Sequence, residues 1–194
     1  MAQAAATLGE AAIRKKGMAA DAVLIFSGVV LVSLAAQIRV PLPFTPVPIT
    51  GQTFGVLLVG ASLGAWRGLS SSFLYLLVGA AGVPVYAGGQ RGWEVVQGPT
   101  GGYLVGFVVA AAVVGILAQR GWDKKLSSSI LAMLAGSLII YLFGLLWLSR
   151  VLDADMARTL ELGLYPFLLG DALKALLASA ALPAAWKLVS RLRS

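Results

Sequence analysis

An aspartate and a lysine stand three residues apart inside an apolar stretch of the chain. The stretch YPFLLGDALKALLASAALPAAW covers residues 165–186 and contains Asp171 and Lys174. Each charge costs about 2.5–3.5 kcal/mol at the centre of a membrane on insertion scales. Positions i and i+3 lie on one face of a helix, so the carboxylate and the ammonium can meet. The pair is either a self-neutralising ion pair or part of a binding site, and ionisable groups inside membranes favour the second interpretation.

This chain lacks the residues of the common catalytic arrangements. Without Cys and His there is no thiolate, no Ser–His pair and no imidazole as metal ligand or general base. GPTGGY lacks the lysine of a phosphate-binding loop, and LLGD lacks the first glycine of the G-x-G-D motif of intramembrane aspartyl proteases. Glu94 and Asp171 are both carboxylates, but nothing in the sequence pairs them. The sequence therefore predicts binding of a small polar molecule, with no enzymatic activity, cofactor or metal.

The composition is typical of an integral membrane protein. Of the 194 residues 59% are hydrophobic and 12% are charged, and the mean hydropathy is +0.88, whereas soluble domains are about 25% charged. Long stretches carry no Asp, Glu, Lys or Arg, and each is close to or longer than the ~20 residues that cross a bilayer as a helix. These stretches are 22–38, 40–66, 68–90, 95–119 and 126–149.

The uncharged stretches are apolar on all sides, which favours helices over the alternating strands of a membrane barrel. The expected fold is an all-α bundle of six transmembrane helices, with a very short turn around Arg67 between the second and third. A cleaved secretory signal is the alternative for the first stretch, but the five spans that follow favour an uncleaved helix. The predicted spans are 20–38, 51–66, 68–83, 101–119, 128–149 and 166–189.

The distribution of Lys and Arg predicts the orientation of the bundle. Six spans place both termini on one side, which collects ten of the basic residues against four on the other, so both termini are expected in the cytoplasm. The net charge of +7 is then a topology signal of a multi-pass cell-membrane protein and not a sign of a nucleic-acid partner. The expected division is a cytoplasmic tail over 1–18, the membrane domain over 19–190 and a cytoplasmic end over 191–194. The ten residues are Arg14, Lys15, Lys16, Arg67, Arg120, Lys124, Lys125, Lys187, Arg191 and Arg193; the four are Arg39, Arg91, Arg150 and Arg158.

Two loops on the side away from the cytoplasm have unusual compositions. VPLPFTPVPITGQT holds four prolines, which make the segment stiff and extended, and its apolar character predicts a lid over the bundle; a plain connector is the alternative. The connection over 83–100 is rich in glycine, which allows the backbone to approach a ligand closely, although a merely flexible loop fits as well. Asp171 and Lys174 are expected at the same depth, so the three features predict one outward-facing pocket.

Four motifs in register resemble the BioY family. They are PLPFTPVPITGQTFGVLLVGASLGAWRG, LYLLVGAAGVPVYAGG, GPTGGYLVGF and PFLLGDALKA, between about residues 33 and 185. The resemblance implies a biotin-specific substrate-binding subunit, or S component, of an energy-coupling factor transporter. It also implies a transmembrane coupling protein with two cytosolic ATPases as partners, so ATP would be hydrolysed by those partners and not by this chain. A stand-alone carrier of biotin or a related vitamin is the alternative.

Biotin would explain the polar groups of the expected pocket. Asp171 would accept its ureido N–H groups, and Lys174 would either neutralise Asp171 and donate to the ureido oxygen or pair with the biotin carboxylate. Tyr86 and Tyr103 are expected to wall the bicyclic ring, with interfacial belt aromatics as an equal alternative, and Arg91 to meet the tail. The remaining predicted contacts are Gln52, Thr45, Thr100, Gly88 and Gly89.

Overall fold

The computed structural model describes residues 7–12 and 17–191, in which long helices alternate with short connecting elements. Three-residue 3₁₀ turns at Ala87–Gly89 and Trp122–Lys124 complete the connections. The elements in chain order are α1 Leu8–Ala12, α2 Met18–Gln37, β1 Arg39–Val40, β2 Ile49–Thr50, α3 Gln52–Leu63, α4 Ala65–Ala80, α5 Trp93–Gln97, α6 Gly101–Gln119, α7 Leu126–Leu152, α8 Met156–Gly163 and α9 Leu168–Arg191.

A helix lies at each of the six predicted spans, but the second, α3, is shorter than expected, and the third, α4, has the expected 16 residues and begins three residues earlier. The predicted turn at Arg67 is wrong, because the chain reverses at Gly64, whose φ of +85° favours glycine. Arg67 instead lies in the first turn of α4. Helix α3 has 12 residues and therefore spans only about 18 Å. Four helices, α2, α6, α7 and α9, are long and apolar enough to cross a membrane.

Within the described residues, β-strand pairing is confined to one two-residue antiparallel ladder between α2 and α3. Arg39 pairs with Thr50 and Val40 with Ile49, so the proline-rich segment forms a hairpin, which we call the 39–50 hairpin. Some sequence predictions concern residues beyond the described ranges. Arg14, Lys15, Lys16 and Arg193 lie outside them, as do parts of the predicted terminal tails.

Small residues allow helices α3, α4 and α6 to pack closely. A Cβ at Gly60 would lie 2.6 Å from the Ala111 carbonyl oxygen, and one at Gly68 would lie 2.9 Å from the Gly60 Cα. A side chain at either glycine would therefore force the helices apart. Close packing of this kind is typical of membrane bundles, in which lipid supplies no hydrophobic drive between helices.

One face of α7 exposes an apolar stripe. Leu131, Leu134, Leu138, Leu142 and Leu146 recur at spacings of three and four residues, and each is at least half exposed. Such spacing places the five side chains along one side of the helix. A contiguous exposed apolar surface marks an interaction with lipid or protein, and its length along a 27-residue helix fits the acyl chains of a bilayer.

The bundle has two different ends. The 39–50 hairpin, α5, and the connection from α8 to α9 meet at one end, which we call the hairpin end. At the other end, Arg67 donates to Glu10 at 2.9 Å and to Asp21 at 2.8 Å, which ties α4 to α1 and α2. We call this the Arg67 end.

Candidate binding site

A cavity opens at the hairpin end of the bundle. The empty space in it, counted together with its open side, is about 610 Å³. Aromatic and aliphatic side chains form most of the wall, and polar groups converge at one end. The lining residues are Val47, Pro48, Thr50, Gln52, Thr53, Tyr86, Ala87, Gln90, Val95, Thr100, Tyr103, Leu104, Phe107, Ile140, Tyr141, Phe167, Asp171 and Lys174.

Asp171 and Lys174 form the predicted ion pair at the polar end. Both lie in the first two turns of α9, and Lys174 Nζ lies 2.8 Å from Asp171 Oδ1. The carboxylate side chain is 11% exposed and the lysine side chain 21%. The i, i+3 spacing brings the groups together as expected, and the small residual exposure of both faces the cavity that they line.

Two further side chains hold the Asp171 carboxylate. Tyr141 Oη donates to Oδ2, and Thr53 Oγ1 donates to Oδ1 at 3.3 Å. Together with Lys174, these donors come from α3, α7 and α9. A carboxylate has about four lone-pair sites, so these donors hold Asp171 in place and leave it able to accept from a ligand.

The 39–50 hairpin covers the cavity and is attached to it at two points. Lys174 Nζ donates to the Thr50 carbonyl oxygen at 2.6 Å, and Thr45 Oγ1 donates to the Leu162 carbonyl oxygen at 2.7 Å. Val47 and Pro48 supply apolar wall between these attachments. The proline-rich segment is therefore an ordered cover and not a plain connector.

Gln52 connects the cavity to α4. Its Nε2 donates to Tyr75 Oη at 2.7 Å, its Oε1 accepts from Thr50 Oγ1 at 3.1 Å, and Tyr75 Oη donates to the Val85 carbonyl oxygen at 3.1 Å. One amide N–H of Gln52 has no partner in this chain of bonds. The residue therefore fixes the start of α3 and retains one donor for a ligand.

Tyr86 and Tyr103 line the cavity as buried walls. Tyr86 is 1% exposed and Tyr103 is 8% exposed, so neither is an interfacial belt residue. Tyr86 Oη donates to the Leu76 carbonyl oxygen and Tyr103 Oη to the Gly163 carbonyl oxygen. Burial raises the pKa of Tyr86 to about 12, which keeps the hydroxyl protonated as a donor. Both rings therefore present their apolar faces.

A comparison with known protein families identifies the family of this chain. The model of the BioY family matches residues 5–191.

The chain belongs to the BioY family.

Curated BioY relatives match over most of their lengths. The Biotin transporter BioY of Rhizobium etli is 35% identical over 157 residues, covering 77% of this chain and 83% of the relative. The Probable biotin transporter BioY of Pyrococcus horikoshii is 41% identical over 147 residues, covering 76% and 84%. The Biotin transporter BioY of Thermotoga maritima is 34% identical over 156 residues, covering 80% and 90%.

The fold also matches a solved structure. The crystal structure of the S-component for biotin from an ECF-type ABC transporter superposes with a TM-score of 0.76, covering 92% of this chain and 95% of the other. The two sequences are 24% identical, so this likeness concerns the fold. The curated relatives are named as transporters, and the long apolar helices of this chain fit a multi-pass membrane protein.

Four predicted contacts lie outside the cavity wall. Thr45 bonds to Leu162 behind the hairpin, and Gly88 and Gly89 belong to the 3₁₀ turn beside the lining residue Ala87. Arg91 follows the lining residue Gln90 and is exposed. The other six predicted residues, Asp171, Lys174, Gln52, Tyr86, Thr100 and Tyr103, all line the cavity.

Sequence reasoning missed Tyr141 and Thr53. Tyr141 is one aromatic in a long apolar helix, and it is 30 positions from Asp171, the carboxylate to which it donates; Thr53 is 118 positions from the same residue. The available signal for Thr53 was its place beside Gln52 at the start of α3. No comparable local signal marks Tyr141.

The polar end of the cavity suits recognition of a ligand. It pairs one fixed acceptor, Asp171, with an adjacent ammonium donor, Lys174. A planar ligand edge carrying both N–H and C=O groups matches such a pair. The aromatic wall then suits an apolar ring.

Proposed function

We propose that this chain takes up biotin across the cell membrane as the S component of an energy-coupling factor transporter. The observation that carries the proposal is the Asp171–Lys174 pair at the polar end of an aromatic-walled cavity, in a member of a family whose curated relatives are named biotin transporters. ATP is then hydrolysed by partner subunits and not by this chain.

In the proposed pose the ureido ring of biotin lies at the polar end of the cavity. Asp171 accepts a ureido N–H in a charge-assisted hydrogen bond. Lys174 donates to Asp171, to the Thr50 carbonyl and, at 3.4 Å, to Thr53 Oγ1. In this pose the ureido oxygen replaces the long contact with Thr53 as the third acceptor of the ammonium. Tyr86, Tyr103 and Phe107 contact the sulfur-containing ring, and Gln52 and Thr100 supply further polar contacts.

The proposed topology has six spans with both termini in the cytoplasm. The basis is the ten-to-four asymmetry of Lys and Arg, which makes the Arg67 end cytoplasmic and opens the cavity outward. Helices α3 and α4 are short for spans, so the membrane is expected to thin locally or their flanking residues to extend to the interface. The proposed partner is a transmembrane coupling protein carrying two cytosolic ATPases.

Titration of the detergent-purified protein tests the ligand. Tryptophan fluorescence, which includes the exposed Trp93 near the cavity mouth, is followed while biotin, desthiobiotin or riboflavin is added. Saturable binding of biotin and no response to riboflavin is expected, with no ATP hydrolysis by the isolated chain. Binding of neither biotin nor desthiobiotin by folded protein rejects the proposed ligand, and ATP turnover by the lone chain rejects the S-component role.

A further inference from the structure

Each of the two tyrosine walls of the cavity packs against a glycine. Tyr103 and Tyr86 line the cavity, whereas Gly144 of α7 and Gly79 of α4 lie outside its lining. A Cβ at Gly144 would lie 2.6 Å from Tyr103 Cζ and closer still to Cδ1 and Cε1. A Cβ at Gly79 would lie 2.8 Å from Tyr86 Cδ1 and closer still to Cε1 and Cζ. Three neighbouring ring atoms at similar distances place each glycine over the face of its ring.

Further contacts fix the positions of the two rings. Tyr103 Oη donates to the Gly163 carbonyl oxygen at 2.8 Å, and a Cβ at Gly163 would lie 2.6 Å from the same Oη. The Tyr103 ring also stands edge-on to Tyr141, with ring centroids 6.5 Å apart and an interplanar angle of 82°. Tyr86 Oη donates to the Leu76 carbonyl oxygen at 2.6 Å. Each tyrosine is therefore tied at its hydroxyl and packed at its face against helix backbone.

A methyl group at Gly144 would displace the tyrosine in front of it. Carbon atoms pack at about 3.5–4.0 Å, so the Tyr103 ring would have to withdraw by about 1 Å. Helix α7 is not free to move away instead, because α6 and α7 are in close contact one turn earlier, where a Cβ at Gly106 would lie 3.0 Å from Ile140 Cα. Since Tyr103 borders the cavity, its displacement narrows the space for a ligand.

We propose that Gly144 and Gly79 set the width of the cavity and thereby select ligands that carry the sulfur-containing ring of biotin. Both are positioning residues, which act through Tyr103 and Tyr86 and touch no ligand themselves. The assignment rests on the proposed function, because it requires the sulfur-containing ring to lie against these two tyrosines. A side chain at either glycine narrows that part of the cavity and leaves the polar end at Asp171 unchanged.

The test measures the dissociation constants of biotin and desthiobiotin, which keeps the ureido ring but lacks the sulfur-containing ring, for purified wild-type protein and Gly144→Ala. Gly144→Ala is expected to weaken biotin at least tenfold and desthiobiotin less than threefold, because overpacking costs most for the ligand that fills the space. In a Tyr103→Leu background, which removes the displaced ring, Gly144→Ala should change biotin affinity less than twofold. Gly79→Ala, with Tyr86→Leu as its background, repeats the measurement at the second wall.

The matched control is Gly136→Ala, the same substitution about two turns earlier on α7. A Cβ at Gly136 would lie 2.6 Å from Val114 Cγ2 and closer still to Leu57 Cδ2. Neither of these side chains lines the cavity. The control therefore crowds the same helix without moving a cavity wall, and its ratio of biotin to desthiobiotin affinity should stay within twofold of wild type.

Three outcomes overturn the assignment while leaving the proposed function intact. The first is wild-type biotin affinity in Gly144→Ala, an equal loss for both ligands, or the same change of ratio in Gly136→Ala. The second is a loss of biotin affinity that persists in the Tyr103→Leu background. The third is failure of both Gly144→Ala and Gly79→Ala to fold, which would mean that the glycines serve the fold and not ligand selection. If wild-type protein binds neither ligand, the proposed function itself fails and this assignment fails with it.

Discussion

Each end of the bundle carries a charge network, and the two networks differ in how their donors are used. At the Arg67 end, one guanidinium binds two carboxylates from α1 and α2, at 2.9 and 2.8 Å. At the hairpin end, one ammonium binds one carboxylate and a carbonyl, and the same carboxylate also accepts from Tyr141 and Thr53. Helix α3, about 18 Å long, separates them.

The two networks differ in the hydrogen-bonding capacity that they leave for a ligand. Arg67, Glu10 and Asp21 join three elements and line no described cavity, so their role is to hold α1 and α2 against α4. Asp171 and Lys174 lie in a cavity wall, where bonds to Thr50, Thr53 and Tyr141 fix their positions while the carboxylate keeps lone-pair capacity for a ligand. The ion pairs at the Arg67 end therefore hold helices together, whereas the ion pair at the hairpin end is the proposed ligand contact.

The largest expected effect comes from the Asp171–Lys174 pair. Asp171→Asn and Lys174→Ala each remove one charge at the polar end of the cavity. Each is expected to weaken biotin binding at least tenfold, about 1.4 kcal/mol, in fluorescence titrations. The matched controls Glu161→Gln and Arg158→Ala alter another i, i+3 pair, which is exposed on α8, and should bind biotin normally. Wild-type affinity in both site variants would remove this pair from the site.

A smaller effect is expected when the support of Asp171 is removed. Tyr141→Phe deletes the hydroxyl that donates to Oδ2 and keeps the ring. Biotin binding should weaken about threefold to tenfold, less than the full ~1.5–3 kcal/mol of a hydrogen bond to a charged group, because Tyr141 positions Asp171 and the carboxylate still contacts the ligand. The loss should nearly vanish in an Asp171→Asn background, because the two changes act on one interaction. Additive losses in that double variant would show that Tyr141 acts independently of Asp171.

The attachment of the 39–50 hairpin should affect kinetics more than affinity. Thr45→Val removes the hydrogen bond to Leu162 and the one that the Val47 N–H donates to Thr45 Oγ1, with little change of shape. The cover then opens more readily, and bound biotin should dissociate about threefold faster, a cost of roughly 0.5–1 kcal/mol. Dissociation of radiolabelled biotin after a chase measures this rate. Thr159→Val is the control, because Thr159 bonds only within α8. An unchanged rate in Thr45→Val would mean that the hairpin does not gate release.

The sequence predicted the parts of this site that depend on local spacing. Asp171 and Lys174 meet because i and i+3 share a helix face, and the prolines of the 39–50 hairpin indicated a stiff cover. Tyr141 and Thr53 reach Asp171 only through the packing of α3, α7 and α9, which no local pattern encodes. The predicted turn around Arg67 was wrong because the chain reverses at Gly64, whose positive φ sets the turn between α3 and α4.

Arg67→Gln is expected to have the smallest effect on biotin binding. It tests whether the network at the Arg67 end serves stability alone. Loss of the guanidinium leaves Glu10 and Asp21 without this shared partner, and the free energy of unfolding should fall by about 1–3 kcal/mol, seen as a lower melting temperature in detergent. Biotin affinity, measured below that temperature, should stay within twofold of wild type. Asp21→Asn, which keeps the Glu10 bond, should lower stability less. A tenfold loss of affinity in folded Arg67→Gln would mean that the two ends are energetically coupled through α3, and that the Arg67 network is part of the binding machinery.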